Sequence, residues 1–345
     1  MLNVNAFHTA VPPRPSGRYA HIVLLRETDS FALFQTDGEL NTAVVQSGRA
    51  NTAAMTRLTL FKRKQTTPER LIGRELLRRY GFISAEQSGT AGHTEDARKV
   101  TVDKTGLPVC DYNVDFCKQC PDCVTYGFAI GDSGSEKSKV YSDTAYSLTD
   151  FETSRESFTL NAPYESGSMS RQGAVTNRIN AQDHVRPQTL FPSVITVRDV
   201  TAPLFLYVCN NLLRTRRYGA QTTRTGTMTN HVLAVVLNDG EIFSNLLFTQ
   251  RLFDVLNQQG EVRQGAPISI AAALGAATSL VPQLVDEDRG NVDQIFVGTA
   301  LDTLIDDLAV RTRSDDGIRE LLHAAQRDSG SYYTSYIQKI DKKKK

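Results

Sequence analysis

The chain has 345 residues, 40% of them hydrophobic and 22% charged, with a formal net charge of +1. This is the composition of an ordinary globular protein of two domains, or of one core with large insertions. The longest apolar run, residues 268–281, contains Ser269 and Ser279 and falls short of the roughly 20 residues that span a bilayer. Residues 1–16 hold no apolar signal segment. No membrane partner is expected. Five cysteines, four of them clustered, suit a reducing cytoplasm better than a secreted disulfide framework.

Tyr19–Arg26 (YAHIVLLR) reads as a strand with a buried centre. Between Arg49 and Tyr80, nine basic residues oppose two acids, a local charge of +7. Inside that block Thr67 is placed as a helix N-cap, Pro68 at the first helical position and Gly81 past the end. Arg70, Arg74 and Arg78 recur at i, i+4 and i+8, one row on the helix surface at a spacing that suits a phosphate backbone. Residues 84–150 are rich in Gly, Ser, Asp and Thr and read as an insertion with little apolar core of its own. Ser157–Leu160 and Leu190–Val197 are expected to form two strands joined by about thirty residues, a protruding thumb-like hairpin.

Leu204–Thr215 follows as a helix behind Pro203, and His231–Leu237 as a strong buried strand. The stretch between, Asn210–Asn230, carries four arginines and no acid. Residues 246–256, 269–284, 301–310 and 317–325 are helical in pattern, and Lys342–Lys345 form a basic tail. Val285–Glu320 holds ten acids against four arginines, a local charge of −6. The near-zero total therefore conceals segregated charge, which creates local fields that a polyanion can follow. The order strand, helix, insertions, strand, helix, strand predicts an α+β fold with an RRM- or ferredoxin-like core. The expected divisions are core at 1–83 and 201–240, insertion at 84–150, thumb-like hairpin at 151–200 and helical lobe with tail at 241–345.

Cys110, Cys117, Cys120 and Cys123 are spaced C-x6-C-x2-C-x2-C. Four thiolates this close can enclose a tetrahedral structural zinc ion, a staple that so polar an insertion needs in place of a core. His93 replacing one thiolate, and a ferredoxin-type iron–sulfur ligand set, both stay open. Cys209 sits on an apolar helical face and belongs in the core. Gly131-Asp132-Ser133-Gly134 looks like a serine-protease string, but no base is placed to serve it. The same stretch approaches a P-loop, with Glu136 where a glycine is required. No catalytic residue is expected.

The loop Arg216–Met228 combines three arginines, two glycines, four threonines and Tyr218. Glycines admit close approach to phosphate, hydroxyls and guanidinium groups donate to it, and Tyr218 is suited to stack on a base. Arg171, Asn177 and Arg178 add a third basic element. Three such elements on an RRM-like core point to a single strand gripped by its backbone, without sequence reading. With ~6 phosphates neutralised, log K should fall with log salt at a slope near −4.

Several of these motifs occur together in one family. They are Phe61-Lys62-Arg63-Lys64-Gln65 with Pro68-Glu69-Arg70, the cysteine cluster, Gln172-Gly173-Ala174-Val175-Thr176-Asn177-Arg178, and Arg216-Arg217-Tyr218-Gly219-Ala220. The chain resembles the backbone-subunit family of type I-D CRISPR effector complexes, in the Cas-seven branch of the RAMP superfamily. The resemblance implies an RRM-type palm, a zinc-binding insertion, a thumb and a helical lobe. It implies copies polymerised head-to-tail along a crRNA, beside other effector subunits, displaying the guide for pairing with target DNA. Lys62, Arg63, Lys64, Arg74 and Arg78 would then hold the crRNA backbone. Arg216, Arg217 and Arg224 would line the same groove, with Arg171 and Arg178 on or near the thumb. The acidic C-terminal third would meet a neighbouring copy, with Asp306 and Asp307 at the contact. Two alternatives are a nuclease cutting the bound strand at intervals, using Asp29 or Asp37, and a zinc-stabilised scaffold without RNA.

Overall fold

A computed structural model describes residues 2–85, 100–129, 135–161, 164–165, 167–168, 170–171, 174–175 and 179–339. In its first half the elements that position the site are β1 (Tyr19–Thr28), β2 (Thr42–Gln46), β3 (Ala54–Leu60), α1 (Lys62–Arg79), α2 (Pro121–Tyr126), β4 (Val140–Ser142), β5 (Arg155–Asn161) and β6 (Ile179–Val185). In the second half they are β7 (Leu190–Arg198), α3 (Ala202–Arg214), β8 (Met228–Asn238), α4 (Asn245–Gln258), α5 (Ile270–Glu287), β9 (Val292–Phe296), α6 (Gly298–Arg313) and α7 (Asp315–Tyr332).

The fold is a mixed one of antiparallel sheets and helices. The main sheet has the order β9–β8–β1–β7–β4, with every neighbouring pair antiparallel. β1 is central because it is apolar on both sides. Ala20, Ile22 and Leu24 face one helical layer, and Val23 and Leu25 face the other. The first layer is built from α1, α3 and α7, through Leu76, Leu77, Phe205, Val208, Ile318 and Leu322. The second is built from α4 and α5, through Phe248, Leu252, Ala277, Leu280 and Val281. A sheet covered on both faces needs strands that are apolar throughout, which is why YAHIVLLR shows no alternation. A smaller core of Ala32, Phe34, Leu58, Leu60, Phe191, Tyr218 and Met228 lies beside the sheet.

Four features differ from the sequence reading. First, α1 begins at Lys62, so Pro68 lies inside it and Thr67 caps nothing. The Phe61 carbonyl accepts from Lys64 N and Gln65 N, and the Gln65 amide donates to Leu60 O and Asp143 O, which anchors this early first turn. Second, β5 pairs with β6 and not with β7. Phe158 of β5 packs edge-on to Phe31 at 4.6 Å and 5.2 Å from His184 of β6, closing the hairpin base. The doubly apolar β7 goes to the main sheet beside β1. Third, residues 84–150 are not a wholly separate insertion, since β4 forms an edge of that sheet. Fourth, β9 adds the opposite edge within the acidic third, where only helices were expected.

Candidate nucleic-acid interface and metal centre

Cys110, Cys117, Cys120 and Cys123 converge inside the first core layer, each exposed by 1% or less. The Cys110 sulfur lies 3.9 Å from that of Cys120 and 3.6 Å from that of Cys123, and Cys117 lies 4.0 Å from Cys123. All four Sγ atoms fall within 4.8 Å of one another. Thiolates about 2.3 Å from a shared ion in a tetrahedron stand about 3.8 Å apart. The cluster therefore has the dimensions to hold a single metal ion. A four-iron cube, with sulfides between its irons, needs its cysteines further apart. Cys120 opens α2 as its N-cap, accepting from Cys123 N at 3.5 Å, and Cys110 accepts from Cys117 N at 3.4 Å. Hydrogen bonds from Cys117, Cys120 and Cys123 push the Cys110 thiol down, whereas burial pushes Cys120 and Cys123 up. His93 lies outside the described residues. Cys209 is in the core, as expected.

Arg70 and Arg74, two of the three arginines in the α1 row, turn toward this cluster and away from solvent. Arg74 is fully buried, so its expected role on an RNA backbone is corrected. It donates to Asp122 Oδ2 at 2.7 Å, to the Cys110 carbonyl at 2.7 Å and to Cys110 Sγ at 3.4 Å. Arg70 grips the same carboxylate, with Nε 2.9 Å from Oδ1 and Nη2 2.9 Å from Oδ2, and donates to Gly127 O. Arg78 is half-buried. It sits about 24 Å along the helix from Lys62, at a rise of about 1.5 Å per residue. Lys62–Lys64 and Arg78 therefore cannot act as one contact.

The N-terminal end of α1 is different. Lys62 and Arg63 are exposed and Lys64 half-exposed, with no acid in the first turn. Lys62 Nζ donates to Val140 O at 3.2 Å and lies 5.9 Å above the Tyr141 ring. Arg63 and Lys64 make no ion pair among the described residues. Burial pushes the Lys62 ammonium down, and burial with Arg63 beside it does the same for Lys64. Three cations crowd the positive end of a helix dipole, where an anion is the favoured occupant.

The Arg216–Met228 loop is held against α1 by a buried polar network. Tyr218, fully buried, donates to Glu69 Oε1 at 3.1 Å and accepts from Asn230 Nδ2 at 2.8 Å. Arg26 donates to Glu69 at 3.0 Å and to Asn230 at 2.9 Å, its guanidinium 4.8 Å from the Tyr218 ring. Tyr218 therefore cannot stack on a base; the sequence reading is corrected there. The loop glycines also have another use. A Cβ on Gly219 (φ +98°) would strike the Leu33 carbonyl, and one on Gly226 would strike that of Phe31. Arg216, Arg217 and Arg224 remain exposed. Arg216 bonds Thr229 Oγ1, Arg217 bonds the Thr225 carbonyl, and Arg224 has no ion pair among the described residues. Arg171 lies on a two-residue strand paired with Ala174–Val175, between β5 and β6 in the chain, and Arg178 lies outside the described residues.

A model of the Csc2 CRISPR family matches residues 6–322, a span that contains every candidate residue above. The chain belongs to the Csc2 family. The crystal structure of Thermofilum pendens Csc2 is similar in fold, at 14% identity over 96% of this chain and 94% of that one, with a TM-score of 0.51. A chain of a CRISPR RNA-guided surveillance complex, pre-nicking, is similar at 11% identity over 85% of this chain and 99% of its own, with a TM-score of 0.51. No curated protein sequence matches the chain. Within this Csc2-family fold, Asp29 accepts from the Thr229 hydroxyl and Asp37, at φ +54°, forms a tight turn with Gly38. The 131–134 string lies outside the described residues. No helix among the described residues is long and apolar enough to cross a membrane.

Residues that the sequence reading missed are Asp122, Glu69 and Arg26. Arg26 had a signal: a charge at the end of an otherwise apolar run. Glu69 had one too, as an acid inside a basic block. Asp122, between two metal-site cysteines, had none that separates it from a surface loop acid.

Proposed function

We propose that this protein is a CRISPR effector subunit that holds a single-stranded guide RNA by its backbone and performs no chemistry on it. Family membership supports the effector role. The Lys62-Arg63-Lys64 cluster at the start of α1 carries the RNA reading, since three cations that make no ion pair among the described residues, gathered at a helix N-terminus, suit a phosphate chain. Arg216, Arg217 and Arg224, on the loop docked to α1 through Tyr218 and Glu69, extend that surface. The 155–185 arm supplies a third element, with Arg171 and Arg178. The topology supports an RRM-like core: β1, α1, β4, β7, α3, β8 in chain order, with spatial order β8–β1–β7–β4. Its sheet is covered on both sides, so RNA is held at the periphery and not on the sheet face. The guide then pairs with target DNA, in a type I-D complex where copies of this chain stack head-to-tail and meet other subunits in the cytoplasm. Zinc on Cys110, Cys117, Cys120 and Cys123 serves structure.

Binding of single-stranded RNA across a salt series tests this. Lys62/Arg63/Lys64→Ala should weaken binding and reduce the magnitude of the log K–log salt slope by about 2, at about 0.7 per lost phosphate contact. Unchanged affinity and slope would favour a protein-interaction scaffold. RNA cut at regular intervals with added Mg²⁺, and spared by Asp29→Ala or Asp37→Ala, would favour a nuclease.

A further inference from the structure

All 15 phenylalanines of the chain lie among the described residues, and all but one are buried or half-buried. The exception is Phe61, at 41% exposure. The other large hydrophobic side chains that stand exposed among the described residues are valines. A single exposed apolar side chain is ordinary in itself; the position of this one is not. Phe61 is the N-cap of α1, where Ser, Thr, Asp and Asn are favoured, and it makes no capping bond. By contrast, α4, α5 and α7 are each capped by a serine hydroxyl, from Ser244, Ser269 and Ser314. The Phe61 ring therefore serves neither the core nor the helix. Residues that break a local rule without structural gain concentrate at functional sites.

The ring is also held in place from both sides. Leu60 before it and Gln65 after it are fully buried, and the Gln65 amide donates to Leu60 O and Asp143 O. No ring and no cation packs on Phe61 among the described residues, and Lys62 reaches over Tyr141 instead. Resting on the RNA reading above, we propose that Phe61 is a base-stacking residue, whose ring takes the face of one nucleobase in the strand held by Lys62, Arg63 and Lys64. Stacking on an aromatic ring tolerates every base, because every base has a π-face. It therefore adds affinity to a strand gripped by its backbone without adding sequence preference. A protein partner would call for a contiguous apolar patch, whereas Phe61 is followed directly by three cations.

The chain contains no tryptophan, so Phe61→Trp gives the full-length protein a single indole at the site. Single-stranded oligoadenosine RNA should quench that fluorescence and bind with parent affinity. Phe61→Leu keeps an apolar side chain and removes the ring. It should bind the same RNA ~5–150-fold more weakly, with the log K–log salt slope unchanged because no phosphate contact is lost. Inorganic polyphosphate, a phosphate chain without bases, should bind Phe61→Leu and the parent equally. Parent-like RNA affinity in Phe61→Leu would overturn the proposal, and shorter multimers in that case would make the ring a protein contact. A loss for RNA and polyphosphate alike would overturn it too, since Phe61 would then only place the cations. If Phe61→Leu fails to fold, Phe61→Trp decides: quenching by RNA but not by polyphosphate supports stacking, and an indole unmoved by saturating RNA overturns it. A parent protein that binds no RNA at any salt concentration would remove the RNA reading itself, and this proposal with it, a distinct outcome.

Discussion

Three of the largest fully buried side chains are arginines, Arg26, Arg57 and Arg74. Each guanidinium is met by a specific set of acceptors. Arg57 donates to the carbonyls of Ser47, Ser147 and Leu148, which joins β3 to the chain that follows β4. Of the nine cations between Arg49 and Tyr80, Arg57, Arg70 and Arg74 are therefore committed internally. A further internal charge holds the N-terminus. Asp199 accepts from the backbone N–H groups of Ser16, Gly17 and Arg18 and from His8. Burial raises this carboxyl, but those donors outweigh it and leave it below its ordinary value. A depressed carboxyl stabilises the fold above its unfolded pKa, and the contribution is lost as pH falls through the folded one. Hydrogen exchange in residues 5–18, which seat Phe7 and Val11 in the core, should rise below pH ~4. Asp199→Asn should show the same rise at neutral pH, and exchange unaffected by either change would count against the latch.

At the scale of elements, α1 divides its labour along its length. Its first turn faces solvent with three cations, its middle anchors the cysteine cluster through Arg70 and Arg74, and Glu69 ties the 216–228 loop to it. That loop depends on Gly219, whose φ of +98° and close approach to Leu33 leave no place for a side chain. Gly219→Ala should cost about 1–3 kcal/mol, read from urea unfolding, and should also weaken RNA binding as Arg216 and Arg217 lose their support. Stability within error of the parent would show that the loop accommodates the methyl group.

For the whole molecule, burial on both sheet faces makes one continuous structure of segments that the sequence separates widely. β4, β7 and β8 come from ranges divided by long connections, yet β7 and β8 flank β1 and β4 pairs with the far side of β7. The acidic third ends as an outer surface. Asp302, Asp306 and Asp307 on α6 and Asp315, Asp316 and Glu320 on α7 are all exposed. A self-associating subunit needs a surface complementary to another part of itself. Asp306→Lys with Asp307→Lys should reduce the length of multimers formed on RNA, measured by sedimentation, while leaving binding of one copy to a short RNA unchanged. Multimers of parent length would sink that assignment of the contact.

The sequence by itself determined the helices of the C-terminal lobe, the strands at 19, 190 and 231, the cysteine spacing and the segregation of charge. These are local or periodic signals: an apolar run, a 3.6-residue repeat, a fixed ligand interval. Partner choice between strands was not among them, because β5 and β7 are each strand-like and only packing on Phe31 and β1 decides which pairs with which. Nor was the use of each arginine. Arg63 and Arg74 stand on one helix eleven residues apart, and the sequence offers both to RNA. Tertiary structure gave Arg74 a buried carboxylate and a sulfur, and left Arg63 in water. Charge counted along a chain cannot tell these apart, since the counterion of a buried cation arrives from a distant segment only when the core closes.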